Sequence, residues 1–327
     1  MVTIYDVAER AGVSAATVSR VFNGIAVSPQ RAQAVHRAAQ ELGFVRNRNA
    51  RRLRMSSPEI VAMMVPDIEN PFFSAMTRAV DDVVRTRGYS LMLCNTDEDP
   101  GREQAYLHTA VAEPVAGVIM VPANDQTDVS LAAEHGLPVV CADRRLAGVD
   151  CVVADNVDAS AAAVALLFEA GHRRVACITG PEHVDTADQR LEGWAAAVHH
   201  ATGRDADPRL VRRGSFSVDN GERSTRELLA LADPPDAIFA ANNRIATGVL
   251  RVLSDQALLP PAVGVVSFGG LPLVLLAPIG VLVTHLPAHD IGTAAARLLL
   301  ERIDGSQEPA RDVVLPVTIG DEVSGVE

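Results

Sequence analysis

The chain has 327 residues, 48% apolar and 21% charged, with a formal net charge of −12, which describes an acidic globular protein long enough for more than one domain. No apolar run reaches membrane-spanning length. No basic segment followed by an apolar stretch opens the chain, so a cytoplasmic location and no membrane partner are expected. The charge is unevenly spread: residues 1–57 hold nine arginines against Asp6, Glu9 and Glu41, a net of +6, which leaves −18 on the remainder. A basic head on an acidic body is the asymmetry of a polyanion-binding module joined to something else. Cys94, Cys141, Cys151 and Cys177 lie in or beside apolar runs with no metal-type spacing, and read as buried free thiols.

In chain order, Thr3 with Asp6 forms a capping-box pattern, after which Ile4, Val7, Ala8 and Ala11 share one helical face. Gly12 ends that helix and permits a turn. Ser14 caps a second helix over 15–23, packed through Thr17, Val18, Val21 and Phe22 and closed by Asn23-Gly24. Ser28 is the expected N-cap of a third, with Pro29 at its first helical position, packed through Ala32, Val35, Ala39 and Leu42 and stopped at Gly43. Three short helices with a glycine turn between the first two describe a helix-turn-helix unit, whose second helix would lie in a major groove of double-stranded DNA.

From Glu59 the pattern changes to apolar strand-like runs: "EIVAMMVPD", "SLMLCNT", "GVIMVP", "PVVCAD", "CVVAD", "RVACITG", "AIFAAN", "VGVVSF" and "GVLVTHL". Helical stretches rich in Ala and Leu lie between most of them, which predicts parallel sheets covered by helices. In such sheets a ligand sits outside the carboxyl ends of the strands.

"TIYDVAERAGVSAATVSRVFNG", followed by "VSPQ" and "ELGFVRNRNARRL", resembles the DNA-binding head and hinge of the LacI/GalR family of bacterial repressors. The likeness continues through "VPDIENPFF", "ADRR", "GHRRVACITGP", "QRLEGW" and "IFAANN", and spans nearly the whole chain. It implies an all-α helix-turn-helix domain over 1–45, a hinge over 46–57, and over 58–327 an α/β body of the periplasmic-binding-protein type I fold. The expected lobes are 58–156 with 287–312, and 157–284 with the C-terminal tail, around an effector cleft.

Matched residue by residue, Ala15, Ala16 and Arg20 fall where the family reads bases, Arg20 being suited to a bidentate contact with guanine. The two alanines offer only methyl groups, and the bland alternative makes them simple helix formers. Thr3, Tyr5, Ser14, Thr17, Ser19 and Asn23 match phosphate-gripping positions. Asn47 opens the hinge segment, Ala50 matches a groove contact, and Leu53 matches a leucine that wedges into the central base step of a near-palindromic operator bound by a homodimer. Arg46 stands where the family usually has proline, and the loop "GIAVS" is about one residue short.

In the body, Asn70, Phe72 and Phe73 fall on the family's first ligand loop, and Asp143 ends a strand. Arg190 matches a ligand-clamping arginine, Phe216 a stacking aromatic and Asn242 a ligand amide. Their bland alternatives are core aromatics, a helix cap and a surface ion pair. Gly269-Gly270 occupies the place of a usual aspartate pair, and Asn243 replaces another aspartate. Losing an acceptor while keeping a cationic clamp leads to the expectation of a sugar or sugar derivative, with an anionic one favoured. No cofactor or metal is expected. A free-standing solute-binding protein, or a repressor without effector response, is the alternative. An enzyme is disfavoured by the absence of G-x-S-x-G, Walker, H-E-x-x-H and dinucleotide glycine motifs.

Overall fold

In a computed structural model of the chain, residues 2–22, 27–44, 59–271 and 280–321 are described here. The chain divides into two compact units, Met1–Pro58 and Glu59–Glu327.

The first unit holds α1 (Ile4–Ala11), α2 (Ala15–Phe22) and α3 (Pro29–Glu41). The Thr3 hydroxyl accepts from the Asp6 N–H while the Asp6 carboxylate takes the Thr3 N–H at 2.7 Å, so both first-turn donors are satisfied. Gly12 adopts the left-handed conformation (φ 66°) that closes α1, and Ser14 Oγ accepts from Thr17 N–H at 3.2 Å to open α2. Ser28 precedes α3 without a side-chain cap bond, contrary to the capping expected of it; Pro29 sets the first turn instead. Val7, Ala8, Val18, Val35, Ala38 and Ala39 form one small core.

The second unit is built on two six-stranded sheets. In the first lobe, β1 (Ile60–Val65), β2 (Ser90–Asn95), β3 (Gly117–Met120), β4 (Val139–Ala142) and β5 (Asp150–Ala154) are joined by α4 (Pro71–Thr86), α5 (Pro100–Ala112) and α6 (Ser130–Glu134). The second lobe begins with α7 (Asn156–Glu169). It continues through β6 (Val175–Thr179), α8 (Asp185–Thr202), β7 (Val211–Arg213), α9 (Val218–Leu229), β8 (Ala237–Ala240), α10 (Asn243–Asp255), β9 (Gly264–Phe268) and β10 (Val281–His285). The chain then returns to the first lobe with α11 (Ala288–Ile303) and β11 (Asp312–Leu315), and crosses once more to end in β12 (Thr318–Asp321).

The sheet orders are β11-β5-β4-β3-β1-β2 and β12-β10-β9-β8-β6-β7, the same winding twice. All pairings are parallel except β10 with β12, an antiparallel edge that departs from the expected parallel pattern. The first lobe's return also runs to Leu315, past the expected limit, because β11 pairs with β5. The strands are continuously apolar because both faces are covered: β1, β3, β5, β6, β8 and β9 are buried almost throughout. All four cysteines are free and buried in these layers.

Candidate functional site

The head presents α2 with Arg20 and Ala16 exposed, while Ala15 is half-buried against the head core, so only Ala16 is left wholly to an outside partner. Tyr5 is 73% exposed. Ser14 Oγ and Thr17 Oγ1 lie 3.0 Å apart beside the start of α2, and Ser19 is half-buried on the same helix. Thr3 is exposed beside the start of α1. Hydroxyls and free N–H groups at helix starts are the usual grip on phosphate oxygens. Asn23, Asn47, Ala50 and Leu53 lie outside the described residues.

In the body, a cleft of about 680 Å³ opens between the lobes, and Asn70, Phe72, Phe73, Asp143, Arg190, Phe216 and Asn242 all line it. Its walls come from the loops that follow β1, β2, β4, β6, β7, β8, β9 and β10, the carboxyl ends of the parallel strands.

Arg190 is 5% exposed, which removes the surface-ion-pair alternative. Its guanidinium carbon stands 4.3 Å from the centroid of the Phe268 ring. Nε donates to Asn156 Oδ1 and Nη1 to the Ala241 carbonyl, each at 2.9 Å. Burial pulls its pKa down to about 10, against the opposing pull of Asp143. Asp143 is 3% exposed and held at φ 65°, and its Oδ1 has no hydrogen-bond partner. Burial pushes the Asp143 carboxyl up from the ordinary carboxylate value, with Arg190 and Arg144 opposing. The cleft thus offers one unspent acceptor and one cationic donor.

Beside them, Arg144 makes a bidentate pair with Glu98, both bonds at 2.7 Å, and its guanidinium carbon lies 5.7 Å from the centroid of the Phe216 ring in the other lobe. Phe216 lies flat on the chain after β6: a Cβ on Gly180 would stand only 2.3 Å from its Cζ. Gly180 is what lets the ring sit there.

The two asparagines are more committed than the sequence suggests. Asn242 Oδ1 caps α10 by accepting from Arg244 and Ile245 N–H groups at 2.7 and 3.0 Å. Asn70 Oδ1 caps α4 through Phe72 N–H, and the whole amide exchanges hydrogen bonds across the cleft with Asn243 at 3.1 and 3.3 Å. Phe73 is part of the first lobe's core, edge-on to Phe72 with centroids 5.1 Å apart. Arg144 and Glu98 are site residues that sequence reasoning passes over, although Arg144 directly follows Asp143. Among the described residues no group of three His, Cys, Asp or Glu side chains could hold a metal ion, and no helix is long and apolar enough to cross a membrane.

Residues 3–47 match the family model of bacterial regulatory proteins of the lacI family, and residues 59–321 that of periplasmic binding proteins and the sugar binding domain of the LacI family. The chain belongs to the LacI family. It is 32% identical to the ribose operon repressor of Halalkalibacterium halodurans, over 99% of either chain. A solved transcriptional regulator CelR–cellobiose complex is 31% identical, covering 99% of this chain and 100% of its own, with a TM-score of 0.74. A lac repressor dimer bound to operator and the anti-inducer ONPF superposes with a TM-score of 0.84 at 24% identity over 98% of each chain, a likeness of fold. The family is one of DNA-binding transcriptional repressors, not enzymes.

Proposed function

We propose that this chain is a cytoplasmic, homodimeric repressor that holds a near-palindromic operator and alters its grip when a sugar or sugar derivative occupies the cleft. Residues 1–45 act as the DNA-binding domain, 46–57 as the hinge and 58–327 as the effector and dimerisation domain. Arg20 supplies base readout, Leu53 the wedge, and the remaining matched head and hinge residues grip phosphate or line the grooves.

The observation that carries the effector reading is the presence of a buried Asp143 and a buried Arg190 in one cleft, with Phe216 also lining it. The sequence-level preference for an anionic ligand rests on an arginine lacking a nearby carboxylate. Asp143 supplies that carboxylate, and its unspent oxygen supports a neutral ligand whose hydroxyls donate to Asp143 and accept from Arg190, with an apolar sugar face on Phe216.

The test begins by selecting bound sequences from random DNA with the full chain. Calorimetric titration then compares D-ribose, cellobiose and their aldonic acids. A neutral sugar binding more tightly than its acid supports the reading; preference for the acid refutes it, and no binding to either favours a repressor without sugar response. Discrimination between operator and random DNA that survives Leu53→Ala removes the wedge from the proposal.

A further inference from the structure

A line of hydrogen bonds leaves the cleft at Arg190 and ends in the other lobe. Arg190 Nε donates to Asn156 Oδ1 at 2.9 Å. Asn156, buried at the start of α7, donates from Nδ2 to the Ala154 carbonyl at 3.1 Å and to Gln189 Oε1 at 3.2 Å. Gln189 Nε2 donates to Asp185 Oδ1 at 2.5 Å. The second Asp185 oxygen accepts the backbone N–H of Arg145 at 3.0 Å and stands 3.6 Å from the Arg145 guanidinium. Asp185 opens α8 in the second lobe, whereas Arg145 follows β4 in the first, two residues past Asp143.

The middle of this line demands amides. Each of its two members must accept on one side and donate on the other. A carboxylate cannot donate, and an aliphatic side chain does neither. Bonds arranged head to tail also polarise one another, so a change at one end is felt along the line.

We propose that Asn156 and Gln189 are positioning residues that couple occupancy at Arg190 to the seam between the lobes at Arg145. The proposal rests on the cleft being the ligand site. A ligand that draws Arg190 towards its own oxygen changes the bond to Asn156, whose other bonds hold the first crossing of the chain and Gln189. Gln189 in turn sets the Asp185 carboxylate that holds the Arg145 N–H. The ligand's chemistry at one end thus becomes a change in lobe attachment at the other.

Hydrogen exchange on the full-length chain tests this with and without ligand. In the free protein, Arg190→Met and Gln189→Met should each speed exchange of the Arg145 amide by about tenfold, the loss of roughly one charge-assisted hydrogen bond. The double variant should add nothing, because both changes cut one line. Gln189→Glu keeps size and acceptor but loses the donor and sets a like charge on Asp185, so it should exceed Gln189→Met. Unchanged exchange of β8 amides shows that the fold is intact. With D-ribose or cellobiose as saturating probe, exchange over 143–147 should shift in the wild type and not in Gln189→Met. Unchanged Arg145 exchange in Arg190→Met, or a probe-induced shift that survives Gln189→Met, overturns the coupling. If neither probe binds, the sugar reading fails, and the ligand-free measurements still decide the coupling.

Discussion

The seat of Phe216 on Gly180 can be tested by filling it. Gly180→Ala places a methyl 2.3 Å from Cζ and 2.7 Å from both Cε atoms. Ordinary carbon contacts are about 3.5–4.0 Å, so the ring must retreat by about 1.2 Å or more. Phe216 lines the cleft with the Arg144 guanidinium carbon 5.7 Å from its centroid, and any retreat carries the ring off its platform. Overpacking of this kind costs about 1–3 kcal/mol. Against this stands about 0.4–1 kcal/mol gained by restricting the unfolded chain at a glycine outside the left-handed region. A double-mutant cycle removes the second effect, since the unfolded-state gain is present in both backgrounds. In a Phe216→Ala background the three atoms nearest the added methyl are gone, so the coupling between the two positions should be about 1–3 kcal/mol. Urea unfolding followed by the fluorescence of Trp194, the only tryptophan and fully buried in the second lobe, reads it directly. Additive effects of the two substitutions would refute the seat. The single variant should also bind any probe sugar about 2- to 10-fold more weakly, the contribution of an aromatic contact.

Three further outcomes are expected. Arg20→Ala should lose about 1–3 kcal/mol at the selected site and relax preference at one base pair per half-site, read by binding selection at fixed salt. Sugar binding that uses the ionised Asp143 should weaken as pH falls through that carboxyl's raised value, and so at a less acid pH than an ordinary aspartate would give; titration of Asp143→Asn across the same range should be flat. Asp150→Asn should destabilise the body by about 1–3 kcal/mol, because it neutralises the buried acceptor of two charge-assisted bonds from Arg302, at 2.7 and 2.9 Å. Burial opposes ionisation of Asp150, but the Arg302 bonds and the Arg311 N–H outweigh it and hold the carboxyl below its usual value of 3.8. Its stabilisation is therefore complete above that value and fades as pH falls through the lowered one, so the urea midpoints of wild type and variant should converge only well below pH 4.

Nine strands are legible in the sequence because each is an apolar run, most of them covered on both faces; β2, half-exposed at a sheet edge, is legible from its apolar run alone. The other three carry no such mark: β7 reads Val-Arg-Arg, half-buried at a sheet edge, and β11 alternates exposed with half-buried residues. The antiparallel turn of β12 is hidden for a related reason, since nothing local distinguishes the edge it joins. Within the cleft, single residues at strand ends are readable, while their partners are not. Asn70 looks like a ligand contact until Asn243, 173 positions away, is found paired with its amide. Arg190 looks like an exposed clamp until Asn156 and Ala241 are seen to hold it in a buried wall. The first pairing depends on how two lobes close over one another and the second on how α7 and β8 pack beside α8, neither of which a local pattern encodes.

The chain passes from one lobe to the other three times: between β5 and α7, between β10 and α11, and between β11 and β12. One consequence concerns proteolysis. A nick at any single passage leaves the lobes joined by two covalent links, so the severed ends stay near each other at high effective concentration. Limited digestion confined to the passage between β5 and α7 should therefore yield fragments that separate in denaturant yet migrate together under native conditions, each contributing one wall of the cleft.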